Sequence, residues 1–418
     1  MTRFAQRIFY GWWMVAAGSG LQFLQAGLVS HSFGAYLAVL SEERGWSKTS
    51  LSGGAALQQM EAAVLGPVLG WLLDRFGPRV FIRAGVILFG AGLMLLSQVQ
   101  SLLAFYGALL VIALGASLAG FFPLNVALIH WFERKRARAL SAHGLGLALG
   151  GIAVPLVAWS LQSFGWRPTA FVSGVIAIAV GLPLAMVIRN RPEDVGEVVD
   201  GVREAAAPAQ SAAAADAGET RDFTAGEALR TQAFWLLSLG HGFALFVVHA
   251  VTVHAITHLK EGLGYSVAAA SLVISLVTVC QLAGIAIGWG IGDRFNRRWI
   301  AAICMFMHMA GLLLLTFAVH ASMVIGFAVL HGVAWGLRGP LMQALRADYF
   351  GRSSIGMILG LSFLIIVIGQ IGGPMIPGIL ADATGDYRVG FATIALLAGV
   401  GSFFFLFARR PARPLRTP

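Results

Sequence analysis

Gly70–Trp71–Leu72–Leu73–Asp74–Arg75–Phe76–Gly77–Pro78–Arg79 sets an Asp-Arg pair in a short turn between two apolar runs. A shift of 219 residues carries Asp74–Arg75–Phe76 onto Asp293–Arg294–Phe295, and Arg79 onto Arg298. The same shift carries Gly45–Trp46–Ser47 onto Gly264–Tyr265–Ser266. In both places a Gly-aromatic-Ser group precedes an apolar run of bilayer length, and an Asp-Arg pair follows it. The match is short, but it recurs at equivalent points of the hydropathy pattern. The chain therefore reads as two related halves.

Composition says where those halves reside. Of 418 residues, 58% are hydrophobic and only 11% are charged, against about 25% charged in an ordinary soluble domain. Mean hydropathy is +0.79. No soluble fold of this size has interior enough for so much apolar surface. A soluble enzyme, a disordered chain and a disulfide scaffold are all excluded. Cys280 and Cys304 both sit inside apolar runs, so they carry no redox information. The fold class is all-α and integral to the membrane.

Apolar segments fall at about 10–37, 49–73, 80–98, 101–131, 139–163, 167–188, 232–258, 266–292, 299–319, 321–345, 353–382 and 387–408. That is twelve transmembrane helices, six in each half. Residues 190–231 are charged, Ala-rich and interrupted by Pro192 and Pro208. They form the linker between an N-terminal bundle over 1–189 and a C-terminal bundle over 232–418. The first apolar run continues into a full span, so no cleavable signal peptide is expected.

The formal charge of +10 would suggest nucleic acid in a soluble protein. Here its distribution gives another answer. With the N-terminus inside, 23 of the 29 Lys and Arg residues fall on the inner side or in the linker. Five fall outside: Arg44, Lys48, Arg167, Lys260 and Arg388. The positive-inside rule then puts both termini in the cytoplasm. Anionic inner-leaflet lipid is the natural neighbour of the basic excess, and nucleic acid is not an expected partner. Two charged residues remain in mid-span, Arg338 and Glu61.

The loop from Gly70 to Arg79 resembles the signature loop of the major facilitator superfamily. Its copy at 288–298 is degraded, with Trp289 where the leading glycine should stand. Tyr10–Gly11–Trp12–Trp13, Gly45–Trp46–Ser47, Arg191–Pro192–Glu193–Asp194–Val195–Gly196 and Asp348–Tyr349–Phe350–Gly351–Arg352 are similar to the monocarboxylate-porter and oxalate/formate-antiporter-like branch. The resemblance covers both halves. It implies alternating-access transport of a small organic anion, often with a proton, at the interface of two parallel repeats. It also implies an arginine on the eighth span to grip the carboxylate. Ala270 to Trp289 carries no cation, and Gly284 falls near the expected place. The oxalate antiporter's lysine on the eleventh span is absent, and the first-span lysine of animal members falls near His31.

Arg338 is the leading substrate candidate. A charge at mid-bilayer costs about 3 kcal/mol or more unless it meets water or a partner, and its planar fork suits a carboxylate. His331, Trp335, Arg338 and Met342 follow a spacing of four, three and four, which lines one helical stripe. Gly336 and Gly339 leave room beside it for a ligand or another helix. Glu61 is the proton-coupling candidate, because a carboxyl group held away from water takes up a proton more readily. A structural, hydrogen-bonded Glu61 beside Gln58 and Gln59 is the alternative. His31 on the first span and Asn125 on the fourth, next to Pro123, are further candidates for the substrate. Asp74, Arg75, Asp293 and Arg294 are gating candidates: an aspartate at a helix end can pair with arginine and with exposed N–H groups of a neighbouring helix, closing one face.

The span histidines His241, His249, His254 and His258 spread around their helix, so no metal is expected. No cofactor is expected, and no enzyme signature is present. The sequence is thus read as a monomeric, multi-pass inner-membrane transporter of a small organic anion, a monocarboxylate, coupled to a proton. A drug or neutral-metabolite porter, or a sensor that has lost transport, are the alternatives.

Overall fold

The computed structural model describes residues 8–46, 48–201, 220–265 and 267–415. Ser47, Ser266, linker residues 202–219 and the extreme termini lie outside the described residues. The chain divides into two compact units, residues 1–219 and 220–418. All regular elements among the described residues are helical, apart from one bridge between Thr220 and Leu415.

Ten described helices are long and apolar enough to cross a membrane. In the first unit they are Pro78–Leu96, Leu102–Trp131, Arg136–Phe164 and Trp166–Val187. In the second they are Gln232–Leu263, Leu272–Ile291, Arg297–Thr316, Ala321–Phe350, Ile355–Thr384 and Arg388–Phe407. The other two expected spans are also helical. The second is Lys48–Phe76. The first runs Tyr10–Gln25 and Phe33–Arg44, with a π-helical turn, Ala26–Ser30, between them.

Local chemistry fixes the helix ends. Ser101, Thr231 and Asn296 each accept a hydrogen bond from an N–H of the first turn they precede, which satisfies donors that have no partner within the helix. Pro78 begins the third span directly after Gly77, where its missing N–H costs nothing.

In lipid, helices associate by close packing and not by escape from water. Small residues supply that contact. In the first unit Gly85 and Gly115 bring the third and fourth spans backbone to backbone. Phe89, Leu93, Phe105, Ile112 and Trp166 fill the space around them. In the second unit Met305, Leu312, Phe327, Phe391 and Phe405 form the core.

Four carboxylate or amide side chains tie loops together within the two units. In the first unit, Asn190 Oδ1 accepts from Arg79 N at 3.0 Å, so the signature loop is held by the end of the sixth span. Gly77 is in the left-handed region at φ 77° and lies against Asn190, where a side chain would collide. Glu197 accepts from Tyr10 N at 3.0 Å. Asp200, itself at φ 59°, accepts from the N–H groups of Glu133, Arg134 and Lys135 at 3.2, 2.7 and 3.3 Å. In the second unit Asp222 does the equivalent work, accepting from Arg352 N at 2.8 Å and Ser353 N at 3.2 Å.

Candidate functional site

Arg338 lies in the tenth span, Ala321–Phe350, and is 1% exposed. Its Nε and Nη1 are buried and have no hydrogen-bond partner among the described residues. Its charge reaches His241 on the seventh span, Cys304 and His308 on the ninth, and His331 and Arg346 on its own helix. The expected stripe is present: His331 and Met342 are buried with it, and the Trp335 ring lies 6.2 Å from the His331 ring.

His331 is held from two sides. Phe327 stacks on it at 5.5 Å, and its Nδ1 meets Nδ1 of His308 at 3.1 Å. His308 was not legible as a site residue, because it stands 23 positions away on another helix. One signal was available: His308 and Cys304 are four apart on the ninth span, a spacing that makes one polar stripe on an otherwise apolar helix. No group of three metal-binding side chains clusters among the described residues.

Arg346, one of the arginines that the charge distribution assigns to the inner side, is 1% exposed within the same helix as Arg338. Its guanidinium donates to Met342 O at 3.1 Å and Leu237 O at 3.2 Å, and meets His241 Nδ1 at 3.4 Å. Backbone carbonyls and a neutral ring thus solvate this cation. Two buried arginines therefore share one helix, about 12 Å apart at 1.5 Å per residue. They differ in that Arg346 has hydrogen-bond partners at Nη1 and Nη2, while Arg338 leaves Nε and Nη1 open among the described residues.

The two flanking glycines also differ. Gly336 is spent on packing: a Cβ there would collide with Gln281 O of the eighth span. Gly339 has nothing within 4 Å of a modest side chain's first carbon. Gly284, where the branch places its arginine, presses on the tenth span at Val333 O and Leu337 N. A side chain at 284 would meet helix backbone, and the next residue along that contact is Arg338.

The remaining substrate and coupling candidates belong to the first unit. Glu61 is half-buried in the second span; its Oε2 accepts from Ser117 Oγ at 2.9 Å, and its Oε1 is buried without a partner. His31 is exposed just past the π-helical turn, with Nε2 at 3.1 Å from Leu147 O. Asn125 is 1% exposed, and its Oδ1 has no partner.

Of the gating candidates, Arg75 is exposed and covers the Trp71 and Phe76 rings at 5.3 and 5.4 Å, while Asp74 is half-buried. In the second unit Asp293 pairs with Arg297 at 2.6 Å, and Arg297 also pairs with Asp348 at the end of the tenth span. Arg294 is exposed. The arginine that engages Asp293 is Arg297, four residues on.

Helical bundles of this length and pairing recur in solved transporters. The proton:xylose symporter XylE, bound to 6-bromo-6-deoxy-D-glucose, superposes with a TM-score of 0.72 over 96% of this chain and 96% of its own, at 16% identity. The sequence model of the Major Facilitator Superfamily matches residues 16–266 and 242–418. The chain belongs to the major facilitator superfamily. Monocarboxylate transporter 13 of Bos taurus is 27% identical over 97% of this chain and 92% of its own length. Membrane sensor protein UhpC of Salmonella typhimurium is 27% identical over 81% of this chain and 78% of its own. This major facilitator protein is thus a twelve-helix, multi-pass membrane transporter by family, not an enzyme.

Proposed function

We propose that this chain is a secondary active transporter that moves a small organic anion, a monocarboxylate, across the inner membrane by alternating access, together with a proton. One observation carries the reading: Arg338 is a fully buried cation with two guanidinium nitrogens that have no partner among the described residues. An unpaired buried charge is among the costliest features a protein can keep. A carboxylate laid against the open edge of the guanidinium offsets that cost with two parallel charge-assisted hydrogen bonds. The similarity to a monocarboxylate transporter supports the substrate class.

In this reading the cation has moved from the eighth span to the tenth. Gly284 packs on the backbone that carries Arg338, so the two positions border one another. Trp335 and His331 line the same stripe; His31 and Asn125 are the substrate candidates of the first unit. Glu61 carries the coupled proton. Asp74, Arg75, Asp293 and Arg294 belong to inner-face elements that close during the cycle, with Arg297 and Asp348 as the working pair in the second unit.

The test is uptake into proteoliposomes against a panel of labelled carboxylates, with and without an imposed pH gradient. Arg338→Ala should abolish carboxylate binding on the purified protein, and Arg338→Lys should weaken it, because an ammonium cannot make the paired contact. Wild-type affinity in Arg338→Ala would overturn the anion reading. The second reading, a neutral-substrate porter, is favoured by the cation-free eighth span and would then take its place.

A further inference from the structure

The third and sixth spans of the first unit, Pro78–Leu96 and Trp166–Val187, bring three arginines together at one end. Arg83 Nη2 donates to Met186 O at 3.5 Å, and Arg189 Nη1 donates to the same oxygen. Two guanidinium groups from different segments thus meet at a single carbonyl and use both of its lone pairs. Arg79 precedes Arg83 by one helical turn, about 6 Å along the axis, so the two share a face. Its backbone N–H is tied to Asn190, the residue after Arg189. The charges of Arg79 and Arg189 both act on Arg83. Among the described residues no carboxylate pairs with any of the three.

Three like charges so gathered repel one another. Arg79 and Arg83 also lie in the first two turns of their helix, where the dipole favours anions. Nε of Arg79 and Nε of Arg83 are buried and have no hydrogen-bond partner among the described residues.

The opposite end of the same two spans shows how the fold settles such a cluster by itself. Arg44 Nη2 and Arg167 Nη2 likewise share one carbonyl, Val99 O, at 3.0 and 3.3 Å. Both guanidinium groups lie over the Trp166 ring, at 5.8 and 4.8 Å. The indole N–H donates to Glu43 at 2.8 Å. That end therefore carries its own carboxylate and its own aromatic face. The end with Arg79, Arg83 and Arg189 has neither, so its counter-charge comes from outside the chain.

Chemistry and depth select that counter-charge. A phosphate ester offers several acceptor oxygens to guanidinium forks. Arg83 lies about 7.5 Å into the third span from Pro78, close to headgroup level. Val80 and Ile87 stand three residues before it and four after it, on its own helical face, and both are exposed. Met186, whose carbonyl the arginines share, also exposes its side chain. Free phosphate has no use for this apolar surround. A phospholipid sets its phosphate among the arginines and lays its acyl chains along Val80, Ile87 and Met186, as at other basic sites between spans.

We infer that Arg79, Arg83 and Arg189 form a binding site for the phosphate headgroup of an anionic phospholipid. The site does not depend on the anion reading at Arg338.

The experiment is native mass spectrometry of the purified full-length protein in detergent with equal amounts of phosphatidylglycerol and phosphatidylcholine, followed by titration with inorganic phosphate. Phosphatidylglycerol should be retained at least tenfold over phosphatidylcholine, and an equimolar amount of phosphate should not displace it. Arg83→Gln and Arg189→Gln each keep a side-chain N–H for Met186 O but lose the charge. Each should lower retention at least threefold, and the double variant at least tenfold. Arg83→Lys keeps the charge without the planar fork and should fall between Arg83→Gln and the wild type, a comparison that stands even where the double variant does not fold. Arg167→Gln, which removes one charge at the opposite end, should match the wild type. Arg338→Ala should match it too, so a failure of the anion reading and a failure of this one are separately visible. Equal retention of the two lipids, or wild-type retention in both glutamine variants, would overturn the site. Displacement by equimolar phosphate would overturn the lipid and leave a soluble phosphate as the occupant.

Discussion

His308 and His331 meet through their Nδ1 atoms at 3.1 Å, one from the ninth span and one from the tenth, both without solvent exposure. At that contact one ring must present N–H and the other a lone pair, so the two are fixed in opposite tautomers. Their contact orients the Phe327–His331–Trp335 stack that runs beside Arg338.

The pair is therefore expected to be coupled energetically. His308→Leu alone strands the His331 Nδ1 in the core and should cost about 1–3 kcal/mol. His331→Leu should do the same to His308. The double replacement removes both polar atoms at once and should cost clearly less than the sum of the two. A double-mutant cycle on thermal unfolding in detergent checks this. Additive losses would mean that the rings touch without a hydrogen bond.

Glu61 and Arg338 should separate in transport assays. Glu61→Gln keeps the shape of the side chain and an acceptor for the Ser117 hydroxyl at Oε2, but it cannot exchange a proton. It is expected to retain carboxylate binding and exchange while losing accumulation driven by a pH gradient. The check is counterflow and gradient-driven uptake in the same proteoliposome preparation. Loss of both activities together would assign Glu61 to the structure of the bundle and not to coupling.

The helical spans and the family were legible in the sequence because they rest on one-dimensional patterns: apolar runs of bilayer length and an Asp-Arg turn of recognisable pattern. Arg338 was legible because a mid-span cation is conspicuous. Arg346 was not, because a charge eight residues nearer the helix end looks like an interfacial anchor. Only the packing of Leu237 and His241 against it reveals its burial. Arg297 was not among the gating candidates, because its pairing with Asp293 and Asp348 depends on how the turn after the eighth span folds against the end of the tenth.

Near the start of the second unit, Thr224 and Glu227 form a capping box, and Arg221 pairs with Glu227 at 2.7 Å. The Arg221 hydrogen bonds, aided by those from Thr224, hold the Glu227 carboxyl down to about 2. A carboxylate with a depressed pKa contributes its stability above its unfolded value and loses it as pH falls through the folded one. The cap should therefore be intact at pH 5 and above, weaken as pH drops below about 4.5, the ordinary glutamate value, and be gone below about 2. Exchange of the Glu227 amide, followed by hydrogen–deuterium mass spectrometry across this range, reads the transition. Exposure and salt screening keep its effect local, so the global unfolding temperature should not follow it.

Asp200 offers the sharpest test of the loop between the fourth and fifth spans. Its carboxylate gathers the N–H groups of three successive residues, Glu133, Arg134 and Lys135, and is itself only 7% exposed. Bonds from backbone N–H groups to a charged acceptor are worth about 1.5–3 kcal/mol each at most. Asp200→Ala should thus release a loop that carries two tryptic sites, after Arg134 and after Lys135. Cleavage there is expected to accelerate at least tenfold, while cleavage after Arg352, held by Asp222 in the other unit, stays at the wild-type rate. Asp200→Asn, which keeps one acceptor but loses the charge, should fall between. Asp222→Ala should show the reverse pattern, with Arg352 newly cut and Arg134 protected. Asp200 also occupies a left-handed conformation at φ 59°, which asparagine tolerates and alanine does not, so a glycine at 200 serves as the control. If Asp200→Gly protects the loop as well as the wild type does, the carboxylate is not what holds it.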